Sequence, residues 1–167
     1  MKIEVKNVEI SKQASQETLC FGATVYIDGK NAGRVWNAGH GGCNGYSSWS
    51  LQQTLDRYAQ TLNPVVTDLP DIHDATKFFT YQPDADYVIG ELVAVWEVTR
   101  EFKRLSKSHA LFVKPCTKGV FRTRKLTADQ IRVMHSDPAK IAAALGAEKI
   151  LNVLPQEEAI EIFRNHA

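Results

Sequence analysis

His40 and Cys43 stand three apart in the run Gly39-His40-Gly41-Gly42-Cys43-Asn44-Gly45. A thiol beside an imidazole and a helix N-terminus has its thiolate stabilised, which is what a cysteine nucleophile requires. The pair is therefore a candidate catalytic dyad, although neither Asp28 nor Asp56 can be placed beside it to orient the ring. The same run permits a second chemistry. Backbone N–H groups at Gly39, Gly41, Gly42, Asn44 and Gly45, between a strand and a helix, can form a nest for a phosphate or carboxylate. Two features argue against nucleotide binding: no lysine followed by serine or threonine comes after the glycines, and the spacing is not GxGxxG. The plainer expectation is that the glycines supply left-handed turns and close backbone packing. A metal set drawn from His40, Cys43, Cys20, His73, His109 and Cys116 contains one local HxxC pair, so neither metal nor cofactor is expected. Trp36, Tyr46 and Trp49 bracket the run and serve as core, as rim or as a stacking surface for a base or sugar.

A third chemistry lies further along the chain. Arg100, Lys103, Arg104, Lys107, Lys114, Lys118, Arg122, Arg124 and Lys125 face Glu101 alone, giving that segment +8 within a chain of net charge +1, so the other 141 residues sum to −7. Fixed positive charge at suitable spacing neutralises phosphates, and the arginine fork matches two phosphate oxygens. Reading bases needs further groups that the segment does not offer, so the pattern points to anion binding without sequence specificity. The alternative is a solvated hairpin face balanced by Asp68, Asp71, Asp74, Asp84, Asp86, Glu91 and Glu97, and an acidic protein partner would suit the segment as well as a nucleic acid.

The elements that must hold these residues follow from periodicity. Ile3, Val5, Val8 and Ile10 keep a period of two with a slip, which predicts a bulged first strand. Phe21, Ala23, Val25 and Ile27 share one face of a second strand that stops at Asp28-Gly29, a tight hairpin turn, and Lys30 to Trp36 returns. The three form an antiparallel meander. Leu51, Leu55, Tyr58, Ala59 and Leu62 recur at helical spacing, with Ser50 and Gln53 as an expected capping box. Residues 63–83 hold three prolines and three aspartates, which predicts an acidic loop with at most a short element at Phe78 to Tyr81. Ala85, Val88, Ile89, Leu92, Val93, Trp96, Thr99 and Phe102 define a long central helix entered at Pro83 and Asp84.

Ala110 to Lys114 and Val120 to Lys125 read as a second hairpin, apolar on one face and presenting Arg122 and Arg124 on the other. Thr127 with Gln130 caps a helix through His135. Asp137-Pro138 opens another that Gly146 ends, Lys149 to Val153 suits a strand, and Pro155 opens a last helix with Glu157 and Glu158 in its first turn. The fold class expected is α+β, a single domain over residues 1–167. Its subregions are 1–62 (meander, glycine run and helix), 63–83 (acidic loop) and 84–167 (central helix, basic hairpin and C-terminal helices).

Apolar residues make up 44% and charged residues 23% of the chain, the profile of a globular protein rather than a fibrous or low-complexity one. The longest apolar run, Ile141 to Ala147, is far short of a bilayer span, and Glu4 stands where a signal peptide needs an apolar stretch. Three cysteines without a CxxC pair argue against a disulfide framework. A cytoplasmic protein is expected.

The stretch Thr24-Val25-Tyr26-Ile27-Asp28-Gly29-Lys30 with Asn37-Ala38-Gly39-His40-Gly41-Gly42-Cys43-Asn44 resembles a small family of proteins encoded by bacteriophages and mobile elements. Ile150-Leu151-Asn152-Val153-Leu154-Pro155, leading into Glu158-Ala159-Ile160, is similar as well. The resemblance implies no activity and no catalytic residue. It implies a setting: an accessory protein in a host cytoplasm, acting on nucleic acid or on a host nucleoprotein, protein or defence complex. The leading expectation is a non-enzymatic binder using the basic segment. A small enzyme or phosphate-binding module at His40 and Cys43, and a structural or assembly protein, are the competing classes.

Overall fold

The computed structural model describes residues 1–72, 74 and 76–166 and has an α+β architecture with antiparallel sheets. The chain divides into two compact units, Met1–Ala94 and Val95 onward, with one long helix contributing to both.

In the first unit, β1 (Ile3–Ile10), β2 (Phe21–Ile27), β3 (Lys30–Asn37) and β4 (Gly45–Tyr46) form a four-stranded meander in sequence order. The slip in β1 is a bulge between Lys6 and Glu9, where Asn7 takes a φ of 50°. The β2–β3 turn is built as expected from Asp28 (φ 46°) and Gly29 (φ 79°), the doubly positive geometry that matches strand twist. Alternation along β2 buries Phe21, Ala23 and Val25. The meander has one strand more than periodicity predicted, because the two residues of β4 are too few to show a period.

Helix α1 (Trp49–Ala59) buries Leu51, Leu55 and Ala59. Its cap is Ser48 rather than Ser50: the Ser48 hydroxyl accepts from the Leu51 N–H at 3.2 Å, while Ser50 already lies inside the helix. The segment expected to be a loop is a hairpin, β5 (Val65–Pro70) with β6 (Phe78–Tyr81), registered through Val65↔Tyr81 and Val66↔Thr80. Pro64, Pro70 and Asp68 disguised β5, since each is depleted in strands. Helix α2 (Ala85–Ser106) is the expected long helix. Asp84 caps it through the Tyr87 N–H at 2.8 Å, and Asp56 of α1 accepts from the Ala85 N–H at 2.8 Å.

In the second unit a three-stranded sheet runs β8 (Phe121–Arg122), β7 (Leu111–Val113), β9 (Lys149–Ile150), with β7 central. Both faces of β7 are covered. On one side Leu111 joins Phe102 and Leu105 of α2 with Leu151, Ala159 and Phe163; on the other Phe112 joins Ala110, Met134 and Ile150. The Phe102 and Phe163 rings meet edge-on at 5.7 Å.

The remaining helices are α3 (Ala128–Ser136), α4 (Pro138–Leu145) and α5 (Gln156–His166). Thr127 and Gln130 make the full capping box on α3, and Gly146 ends α4 in the left-handed region. β9 stops at Ile150, short of the expected Val153, because Asn152 turns inward. Its amide accepts from the Leu111 N–H at 2.7 Å and donates to the Ser106 and His109 carbonyls at 3.1 and 2.9 Å. No helix among the described residues is long and apolar enough to cross a membrane.

Candidate functional site

The glycine run is a folded knot. Asn37, 8% exposed at the end of β3, is its hub. Its Oδ1 accepts from the Thr18 hydroxyl at 2.8 Å and the Gly39 N–H at 2.9 Å; its Nδ2 donates to the Gly42 carbonyl at 3.2 Å and Asn44 Oδ1 at 3.1 Å. The Gly39 carbonyl in turn accepts the Gln16, Glu17 and Thr18 N–H groups at 2.8, 3.1 and 3.4 Å. Gly39, Gly41 and Gly42 all have φ near 90°, and a Cβ on Gly39 would collide with the Ala14 carbonyl and lie 2.8 Å from Cys20 Cβ. Glycine is required there by both conformation and space.

Three of the five donors expected to hold an anion face protein oxygens instead. The Gly39 N–H goes to Asn37, the Gly41 N–H to the Thr18 hydroxyl at 3.2 Å, and the Asn44 N–H to Asp86 Oδ2 at 3.1 Å. Gly45 lies under the Trp36 ring, which leaves no room for a side chain. His40 Nδ1 pairs with Gln16 Oε1 at 3.2 Å and Cys43 is exposed, with no hydrogen bond joining the two. Among the described residues no three or more His, Cys, Asp or Glu side chains are placed to hold a metal. Of the set considered, Cys20 belongs to the first unit, His109 and Cys116 belong to the second, and His73 lies outside the described residues.

Periodicity did not reveal the link between Tyr46 and Asp86, 40 residues apart, in which the Tyr46 hydroxyl donates to Asp86 Oδ1 at 2.5 Å. Burial, and next the hydrogen bond to the Asp86 carboxylate, push the Tyr46 phenol well above its ordinary value near 10. Because the folded-state value exceeds the unfolded one, this contribution to stability is whole below about pH 10 and is lost as pH climbs beyond it. In an absorbance titration the Tyr46 phenolate should appear only as the fold is lost, and Tyr46→Phe should remove that late step.

The basic segment is arranged differently. Arg100, Lys103 and Arg104 lie on the last turns of α2 and Lys107 one residue beyond its end, at i, i+3, i+4 and i+7; all are exposed, opposite the buried Phe102 and Leu105. The Arg100 guanidinium sits 5.2 Å from the Trp96 ring centroid, and Arg104 forks onto Glu101 with contacts of 2.8 and 2.5 Å. Arg104 is the one member of the nine in an ion pair among the described residues. Arg122, Arg124 and Lys125 are exposed, with no ion pair among the described residues.

The hairpin is not the two-faced ribbon expected. β7 is buried on both sides, so Arg122 reaches solvent because β8 is an edge strand of two residues, and not because one sheet face is open. Arg122 stands opposite Leu111, and directly opposed residues share a face, so it emerges on the side of the sheet covered by α2. The cations of α2 lie on the same side of the sheet but on the helix face turned away from it.

Lys114 is half-buried, its Nζ 5.4 Å from the Phe121 ring and 5.9 Å from that of Phe112. With Lys118, Lys149 and His166 it lines a cleft of about 470 Å³ floored by Val113 and Ile162, with Cys116 also in the lining. Lys149 is tied to Glu158 at 3.2 Å and Glu148 stands at the same cleft, which leaves Lys114 and Lys118 as its free cations.

No protein-family model matches the chain, and neither a curated protein nor a solved structure shows significant similarity to it.

Proposed function

We propose that this protein is a non-enzymatic binder of polyanions that works through the surface from Arg100 to Lys125. The observation that carries the reading is that eight of its nine cations are left without an ion pair among the described residues, whereas three of the five expected donors of the glycine run already face protein oxygens. A cation already held by a carboxylate gains little from a phosphate, but a free one releases the counterions condensed on a nucleic acid. Arg122 lies exposed at an edge on the side of the sheet that α2 covers, and Lys114 and Lys118 carry the basic surface to the cleft. The groups this surface offers are cations suited to phosphate oxygens, so binding indifferent to sequence is the expected result.

The family resemblance supports an accessory role in a bacterial host, where a protein of this kind occupies the nucleic-acid path of a host defence or processing complex. The test is a polarisation titration of the purified chain against single- and double-stranded DNA and RNA, with an acidic polypeptide in parallel, at low and moderate salt. Binding should weaken by about 0.7–0.9 log units per log unit of salt for each phosphate contacted. Absence of binding to every polyanion, or affinity indifferent to salt, overturns the reading.

A further inference from the structure

Strand β6 reads Phe78-Phe79-Thr80-Tyr81, and all four residues are exposed. Phe78 is 59% exposed, Phe79 41% and Tyr81 37%, while Val66 and Leu69 on β5 are 64% and 62% exposed. A two-stranded hairpin is marginal in water by itself, and contiguous exposed apolar surface of this kind marks a contact surface.

The two edges of the hairpin are not equivalent. β5 lies between Pro64 and Pro70, carries Asp68 and slips register between Val66 and Pro70, all devices that blunt an edge. β6 carries no proline and no charge, and its outer edge pairs with no strand among the described residues. Its aromatic face is already set: the Phe79 and Tyr81 rings stack at 6.2 Å, and Tyr81 meets Tyr87 of α2 edge-on at 6.2 Å.

We propose that β6 pairs antiparallel with β6 of a second copy of this chain, joining two hairpins into a four-stranded sheet in the order β5-β6-β6-β5. A two-fold axis normal to the sheet keeps like faces together. With the axis at Thr80, Phe79 stands opposite Tyr81 of the second copy, and the two stacked pairs merge into a cluster of four rings.

Charge favours a second copy over a different partner. Nothing between Phe78 and Gln82 is ionisable except the Tyr81 phenol, and Lys77 is already held by Asp74 at 2.9 Å, so self-pairing along the strand opposes no like charges and the strand offers no field to a charged partner. Area sets the strength. Taking about 200 Å² for a fully exposed aromatic side chain, the three rings present about 270 Å², so two copies bury up to about 540 Å² through them, while Val66 and Leu69 lie on the outer strands away from the seam. An interface of that size is of the weak, concentration-dependent class.

Sedimentation equilibrium of the full chain, from low-micromolar to several-hundred-micromolar, should show a monomer–dimer equilibrium. Thr80→Lys should raise its dissociation constant at least about tenfold, as charge on an open edge does. In a Cys43→Ser/Cys116→Ser background, Thr80→Cys should form an inter-copy disulfide under mild oxidation and Val66→Cys should not; this pair decides the matter if Thr80→Lys fails to fold. A chain that stays monomeric throughout overturns the proposal. So does a dimer that Thr80→Lys leaves unchanged and Thr80→Cys does not cross-link.

Discussion

Arg122→Glu/Arg124→Glu should lower the affinity for single- or double-stranded nucleic acid on the order of 100-fold at low salt and flatten the salt dependence, because two phosphate contacts are replaced by repulsions. Arg122 is the more informative of the pair. It stands opposite Leu111 on the α2 side of the sheet, exposed at an edge and without an ion pair among the described residues, so its reversal replaces a free cation of the surface by a carboxylate. A change of net charge alone also weakens attraction to a polyanion at long range. Lys30→Glu/Arg34→Glu changes the net charge equally on exposed β3 positions of the first unit, and separates the two effects. The control should retain affinity within a few-fold at moderate salt, where charges beyond about 10 Å are screened. Equal losses in both variants would assign the binding to net charge and remove the surface from Arg100 to Lys125 as a site.

The parts of this fold legible in the sequence are those whose signals are local. Asp28-Gly29 announces its own turn, Thr127 and Gln130 their own cap, Gly146 its own helix end, and the 3.6-residue stripe from Ala85 to Phe102 its own helix. Illegible were the features whose partner is remote. β4 exists through its pairing with Val35 and Trp36, and β5 through Thr80 and Tyr81 across the acidic segment. Tyr46 and Asp86 lie on different elements.

The second hairpin shows a signal that was available. Leu111-Phe112-Val113 is a continuous apolar run, and such a run belongs to a strand covered on both faces, whereas an alternating one faces water on one side. Read so, it would have removed the open ribbon and placed Arg122 at an edge. For the glycine run, spacing alone could not separate an anion nest from a self-satisfied turn. The acceptors are Thr18, brought in by the Ser11–Cys20 connection, and Asp86 from α2.

Asn37→Ala should be among the most damaging single changes in the first unit, costing about 3 kcal/mol in urea unfolding followed by circular dichroism and tryptophan emission. The side chain is buried and all four of its hydrogen-bonding positions are filled, so alanine removes four bonds and strands the Gly39 N–H, the Thr18 hydroxyl and the Gly42 carbonyl together. Asn37→Asp keeps the size and both bonds to Oδ1 but turns a donor into an acceptor facing the Gly42 carbonyl and Asn44 Oδ1, so it should be no milder. Gly39→Ala attacks the same knot from the backbone. At φ +87° a Cβ is strained and meets the Ala14 carbonyl, with an expected loss of at least about 2 kcal/mol. None of these positions lies on the basic segment, so each variant, at a temperature where it is still folded, should bind polyanion as the parent does. Loss of binding in folded Asn37→Ala would return function to the glycine run; loss of stability with binding intact identifies the run as the clasp that closes the meander onto α2 through Asp86.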